Sequence, residues 1–344
     1  MSYYLGGDYK FLLCVLGIDC ASCKFPCIYC KCPADMFYLS NQNYEMPDSS
    51  SKYRSVEEIL RCAKLPKRSR AKFNCSNQPL FPTIPITHVV VDNLHLYLRI
   101  TDTLMNMLIM EARRLDAIDK VTKFTEFSRQ KFTHCARLEN FLASVGITGF
   151  QFYIGRDSKA LKWPTLNGPQ KHKLFLSIKI AQIFPGMEKA KVQNMQYLWN
   201  EFYQLACKLT SSKGCYNATE VHEYKERVNN WFTKFCEMYQ KRHVTPYIHV
   251  LVTHVPELLG RFGSIAQFTQ QGLEKLNDMT TKSYFRSTNH RKVYALSQLM
   301  DKQNRVEHLE NLNTPDLMNH GAVCSTCKQR GHNVRTCTLK ISEK

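Results

Sequence analysis

Of the chain's Cys-x2-Cys pairs, Cys27/Cys30 and Cys324/Cys327 constrain this 344-residue chain more than any other feature. A thiol pair at that spacing puts two soft ligands on one turn, half of a tetrahedral zinc site, so the fold must bring two further ligands to the same point. The second pair completes itself locally. Cys324, Cys327, His332 and Cys337 follow the spacing C-x2-C-x4-H-x4-C, which closes around zinc in a segment too short to have a hydrophobic core. Gly331 provides the tight turn before the histidine, and Lys328, Arg330 and Arg335 add positive charge. Ser325 stands where base-gripping knuckles present an aromatic ring, so zinc is expected here and base-specific RNA recognition is not.

The first pair leaves its completion open. Cys20 and Cys23 could supply the missing ligands, although the gap between the pairs is short for a zinc ribbon. An iron–sulfur site departs from ferredoxin spacing. The third choice is His249 and His254, which lie five residues apart, about 140° around an ideal helix. Those imidazoles converge only at a helix start or a turn, such as Pro256 allows, and a histidine in an apolar segment is more often a core residue.

Metal is preferred to disulfides because Met1 to Lys10 lacks the pattern of a secretory signal, which leaves the 15 cysteines reduced. No apolar run approaches the roughly 18–20 residues of a membrane span, and the 44% hydrophobic content excludes disorder as the main state. With 47 Lys and Arg against 29 Asp and Glu, the formal charge of +18 points to a polyanionic partner, nucleic acid first. Walker-type, GxSxG and HExxH motifs do not occur, so nucleotide hydrolysis, serine-esterase and zinc-protease chemistry have no support.

Tyr9 to Ile18 is a continuous apolar run that reads as a buried strand ending at Asp19. A short helix is expected at Ser55–Ala63, where Glu58 follows Ser55 by three residues, and a basic loop runs from Lys64 to Lys72. Apolar residues at helical spacing predict helices at Asn93 to about Asp119, Ala190–Leu209, Glu220–Arg242, Ile265–Tyr284 and Arg291–Leu309. His95, three residues after Asp92, reads as a packing residue.

Several blocks then occur in a familiar order. Gly6-Gly7 with Lys10-Phe11, Gly17-Ile18-Asp19, Cys27-x2-Cys30, Pro85 before Val91-Asp92-Asn93-Leu94-His95, His249-x4-His254-Val255-Pro256-Glu257, and Gly263-Ser264-Ile265 with Gly272-Leu273-Glu274 are spread over residues 5–290. In this order they resemble the catalytic core of the V(D)J recombination-activating protein and Transib-like DDE transposases, and residues 324–337 resemble the C-terminal knuckles of retroviral nucleocapsids and Mutator-type transposases. The resemblance implies that Cys27, Cys30, His249 and His254 hold one zinc that ties a helical insertion to an RNase H-like core. It also implies that Asp19 and Glu274 are the second and third carboxylates of a site using two Mg²⁺ or Mn²⁺ ions for DNA cleavage and strand transfer.

The first carboxylate has no counterpart: Asp8 is too near Asp19, and Asp92 aligns outside the catalytic set. The chain therefore reads as N-terminally truncated, with an incomplete active site. The expected fold is mixed α/β and mostly helical: a partial RNase H-like core interrupted by a zinc-stapled helical insertion, plus a small zinc knuckle. The segments are 1–19 (sheet remnant), 20–80 (cysteine half of the zinc region), 81–262 (helical insertion with the histidine half), 263–312 (Glu274 helix and basic segment) and 313–344 (knuckle tail). Lys282, Arg286, His290, Arg291 and Lys292 join Lys328, Arg330 and Arg335 as candidate nucleic-acid contacts. The expected function is that of a transposase-derived DNA-binding protein, in the nucleus, with two zinc ions, no membrane partner and a homodimer for synapsing two DNA ends. The alternative is a non-catalytic zinc-dependent protein that binds DNA, RNA or single strands.

Overall fold

The computed structural model describes residues 3–42, 51–116, 133–155, 161–211, 215–288 and 292–311. The chain divides into two compact units, Met1–Gln270 and Gln271–Lys344. The boundary falls inside the segment 263–312 read as one piece from the sequence, because Gln270 belongs with what precedes it: its backbone N–H donates to Asp92 Oδ1 at 2.9 Å.

The first unit is mostly helical. Strand β1 (Leu5–Gly7) pairs in parallel with β2 (Val89–Val91), Leu5 opposite Val89 and Gly7 opposite Val91. The run expected to be a buried strand is helix α1 (Tyr9–Val15), with Tyr9, Leu12, Leu13 and Val15 buried. Asp8 caps it, its carboxylate accepting the Phe11 N–H at 2.8 Å. A Schellman turn ends it: Ile18 N–H reaches Leu13 O, Gly17 N–H reaches Cys14 O, and Gly17 takes φ +73°. A side chain at Gly17 would put a Cβ 2.1 Å from Asn77 O. A short continuous apolar run does not by itself distinguish buried helix from buried strand, and here the caps decide.

Helix α2 (Val56–Ala63) begins as expected at Ser55, whose hydroxyl accepts the Glu58 N–H. After β2, α3 (Asn93–Leu115) is capped by Asp92, which accepts N–H groups from Leu94 and His95 and the His95 Nδ1–H at 2.5 Å. It stops at Asp116, whose carboxylate accepts the backbone N–H groups of His134 and Cys135 in α4 (Thr133–Ser144). A two-residue hairpin pair, β3 (Tyr153–Ile154) with β4 (Leu161–Lys162), leads to α5 (Gly168–Ser177) and the single turn α6 (Ile180–Ile183). Among the described residues the sheets have two strands each.

Helices α7 (Lys189–Thr210) and α8 (Ala218–Met238) form the centre of the unit. Met195, Leu198, Trp199, Phe202 and Leu205 face Tyr224, Val228, Trp231 and Phe235, all essentially inaccessible to solvent. Trp231 Nε1–H donates to Leu198 O at 2.9 Å, which satisfies a polar atom that burial would otherwise penalise. Helix α8 ends at Met238, short of the expected Arg242, with Lys241–His243 forming a separate 3₁₀ turn. A π-helical turn, Val250–His254, then joins α9 (Pro246–His249) to α10 (Val255–Phe262).

The second unit contains α11 (Gln271–Ser287) and α12 (Lys292–Asn311). The expected helix from Ile265 starts later because Ala266–Phe268 is a 3₁₀ turn. No described helix is long and apolar enough to cross a membrane.

Candidate metal centre

The Cys27-Ile28-Tyr29-Cys30 turn is held from three sides. Arg54, 5% exposed, donates through Nε to the carbonyls of Cys27 (2.8 Å) and Cys30 (3.2 Å). The Tyr29 N–H points at Cys27 Sγ (3.4 Å). Tyr29 OH donates to Val89 O and accepts the Val91 N–H, which fixes the turn against β2.

The histidines arrive from the other end of the unit. On a regular α-helix their five-residue spacing would splay them, but the Val250–His254 segment is π-helical, with the Val255 N–H bonded to Val250 O. An i→i+5 turn sets residues five apart one above the other, so both rings leave the same face. The sequence reading placed the necessary break at a helix start or turn near Pro256; it is a π turn just before that proline.

The result is a closed group of four ligand atoms, all within 4.8 Å of one another and all buried. Cys27 Sγ lies 3.4 Å from His254 Nε2 and Cys30 Sγ lies 3.2 Å from His249 Nε2. Tetrahedral zinc with ordinary Zn–S and Zn–N bonds sets such S···N pairs about 3.5 Å apart, so the four residues fit zinc with little movement. Of the completions open at the sequence level, this is the one that converges: Cys20 is exposed and Cys23 half-buried, outside the group.

Each imidazole is aimed by its other nitrogen. Ser40 Oγ spends its hydrogen on Phe37 O (2.5 Å) and so accepts from His249 Nδ1 at 2.7 Å, which leaves Nε2 of His249 unprotonated toward Cys30. Phe37 stacks on the same ring, 4.2 Å between centroids and 7° from parallel. His254 Nδ1 donates to Glu257 Oε2 at 3.0 Å, and Glu257 Oε1 accepts from Tyr53 OH at 2.6 Å. Such partners are half of a metal site's design. The Glu257 spacing, three residues after His254 on a helix, is a signal the sequence carried; Ser40, Phe37 and Tyr53 had none.

Two of the four ligands are held in the form zinc needs, and two must give up a proton to bind it. Burial would raise the Cys27 thiol, but the Cys30 hydrogen bond and the His254 and His249 rings outweigh it and hold it well below its ordinary range. Burial, with Cys27 beside it, pushes Cys30 well above. Burial holds His249 below its usual value. It would do the same to His254, but the charge and hydrogen bond of Cys27, helped by Glu257, lift it to about 9. Four protein ligands and no open position define a structural centre rather than a catalytic one. Glu257→Gln should weaken zinc binding by about 10–100-fold, read by competition with a chromophoric chelator, because the amide no longer orients and polarises His254.

The remaining expected site residues do not join this centre. Asp19 sits on an exposed loop after Ile18, which bridges Cys75, and its carboxylate accepts from Asn74 Nδ2 (2.9 Å) and Ser76 Oγ. It does not end a long strand, because the run before it is α1. Glu274 is exposed in the first turn of α11, in the second unit. Lys282 pairs with Asp278 at 2.5 Å on α11, and Arg286 is exposed on the same helix. Lys292 begins α12. His290, Arg291 and all of Cys324, Cys327, Lys328, Arg330, His332, Arg335 and Cys337 lie outside the described residues. No family model matches the chain, and no curated protein matches it.

Proposed function

We propose that this chain is a transposase-derived DNA-binding protein in which zinc staples the two ends of a helical unit, and that it does not by itself catalyse DDE phosphoryl transfer. The reading is carried by the convergence of Cys27 and Cys30 with His249 and His254, which lie 219 and 227 residues away in sequence. This is the ligand set that the family resemblance assigns to one zinc. In this reading β1 and β2 belong to an RNase H-like remnant, α3 to α10 form the insertion, and residues 324–337 bind a second zinc. The +18 charge supports DNA as the partner. A nuclear location and a dimer that holds two DNA ends complete the reading.

Catalysis would need three carboxylates around two Mg²⁺ or Mn²⁺ ions. The chain matches two of them, Asp19 and Glu274, and both oxygens of Asp19 already accept hydrogen bonds. The test is a labelled duplex incubated with the full chain and Mg²⁺ or Mn²⁺. Binding without cleavage is the expected outcome. Cleavage abolished by Glu274→Gln would overturn the non-catalytic reading, and absence of binding would overturn the DNA reading.

A further inference from the structure

Beside the zinc turn, the loop after Ile18 and the basic loop that runs on from α2 enclose an open cleft of about 840 Å³. Lys24, Lys67, Arg68, Arg70 and Lys72 contribute to its lining. Lys72 is committed to the fold, since its ammonium donates to the carbonyls of Ala63 and Leu65 where α2 ends. The other four are exposed, and among the described residues no carboxylate forms an ion pair with them. Asp19 also lines the cleft, but its oxygens are held by Asn74 and Ser76. With five cations against the single carboxylate of Asp19, the cleft holds an excess of positive charge in a concave surface, which focuses field toward an anion.

The wall is built to hold its shape. Phe73 and Asn74 take φ of +45° and +61°, consecutive left-handed conformations that residues with side chains rarely adopt. Three contacts enforce them. Arg54 Nη2 donates to Phe73 O at 3.0 Å and to Phe25 O at 2.9 Å on the opposite wall, and Asn74 Oδ1 accepts the Phe25 N–H at 3.0 Å. The same guanidinium grips the carbonyls of Cys27 and Cys30, so one buried side chain ties both walls to the zinc turn.

We propose that this cleft binds the phosphate backbone of double-stranded DNA, with Lys24, Lys67, Arg68 and Arg70 as the contacts and Arg54 as the positioning residue. The assignment deepens the DNA-binding reading above and rests on it. Phosphates, not bases, are the target. The two aromatic rings in the cleft, Phe25 and Phe73, meet edge to face at 5.2 Å and are half-buried. Lys24 and Lys31 lie over their faces at 5.4 and 5.0 Å. A cation lies over one face of each ring and the two rings meet edge to face, so they do not form the open, parallel platform on which unstacked bases stack. Cations on a loop of turns and a 3₁₀ helix (Arg70–Lys72) position a duplex without reading its sequence.

The test uses the full chain, a fluorescein-labelled random-sequence DNA duplex and a single strand of the same length, titrated at stepped salt. Combining Lys24→Ala, Lys67→Ala, Arg68→Ala and Arg70→Ala should flatten the slope of log affinity against log salt by about 3 to 4, at about 0.9 per phosphate contact, with zinc content unchanged. The control removes four exposed cations of the helical region, Arg137→Ala, Lys179→Ala, Lys189→Ala and Lys225→Ala, and should leave the slope nearly unaltered. If the fourfold cleft variant loses zinc, Arg68→Ala with Arg70→Ala alone should flatten the slope by about 2. Equal losses in cleft and control variants, no loss in the cleft variant, or preference for the single strand would overturn the cleft while leaving DNA binding intact. A wild-type chain that binds neither probe would overturn the DNA reading beneath it as well.

Discussion

Cys27→Ser and His254→Ala should each strip one and the same zinc ion from the protein, and with it the cooperative melting of the Met1–Gln270 unit. Zinc binding to a structural site is worth about 10–16 kcal/mol in apparent terms near neutral pH, as much as the whole stability of a typical domain at about 5–15 kcal/mol. The effect should be larger than loss of the ion alone suggests. All four ligands are at most 1% exposed, so an empty or incomplete centre leaves polar groups buried without their partner. The staple also closes a loop of more than two hundred residues, whose freedom returns when either end lets go. Metal analysis should find two zinc ions per wild-type chain, counting the site expected at Cys324, Cys327, His332 and Cys337. Each variant, and the double variant, should hold one. A His254→Ala protein that kept both while Cys27→Ser lost one would show that the pairs serve different ions.

Zinc affinity should fall about 100-fold for each unit of acidification near neutral pH. In the metal-free centre Cys27 is held as a thiolate and His249 neutral, whereas Cys30 keeps its proton and His254 carries one with a pKa of about 9. Zinc requires all four free of protons, so loading expels two, and each contributes a factor of ten per pH unit. The metal-free state binds more protons than the loaded one, so acid favours release. The loaded fold follows the same sign. Its ligands bear no protons, whereas in the unfolded chain cysteines protonate below about 8.5 and histidines below about 6.5, so stability rises with pH up to the cysteine value and is lost as pH falls through both. Thiolate with imidazolium is neutral, and so is zinc with two thiolates. The buried centre thus never holds a net charge, which would be costly at this depth. Chelator competition at stepped pH and indicator-detected proton release should both report two protons per zinc; a value of one would mean that either Cys30 or His254 has already lost its proton in the empty site, and a value of none that both have.

Much of the helical framework was legible along the chain. Residues Met195 to Leu205 and Tyr224 to Phe235 repeat at helical spacing because each helix buries one face, and Ser55 with Glu58 marks the start of α2. Other elements were written in caps rather than in periodicity. Asp8 and Gly17 bracket α1, and Asn167 forms a reciprocal capping box with Gln170 at the start of α5. Helix α1 buries Tyr9, Leu12, Leu13 and Val15, but its exposed face carries Phe11 and Cys14 beside Lys10, so a mostly apolar outer face hides the period and the bracketing residues separate helix from strand.

The amino-acid sequence offered the candidate zinc ligands: two thiols on one turn, to be completed by Cys20 and Cys23 or by two imidazoles five residues apart. Which ligands complete Cys27 and Cys30 was decided by the folded chain. A π turn brings His249 and His254 onto one face, and Tyr29 and Arg54 fix the cysteine turn where those rings arrive. Local spacing encodes only neighbours within a turn or two. Convergence across 219 and 227 residues depends on how the helices between them pack, a property of the whole hydrophobic core and of no single segment.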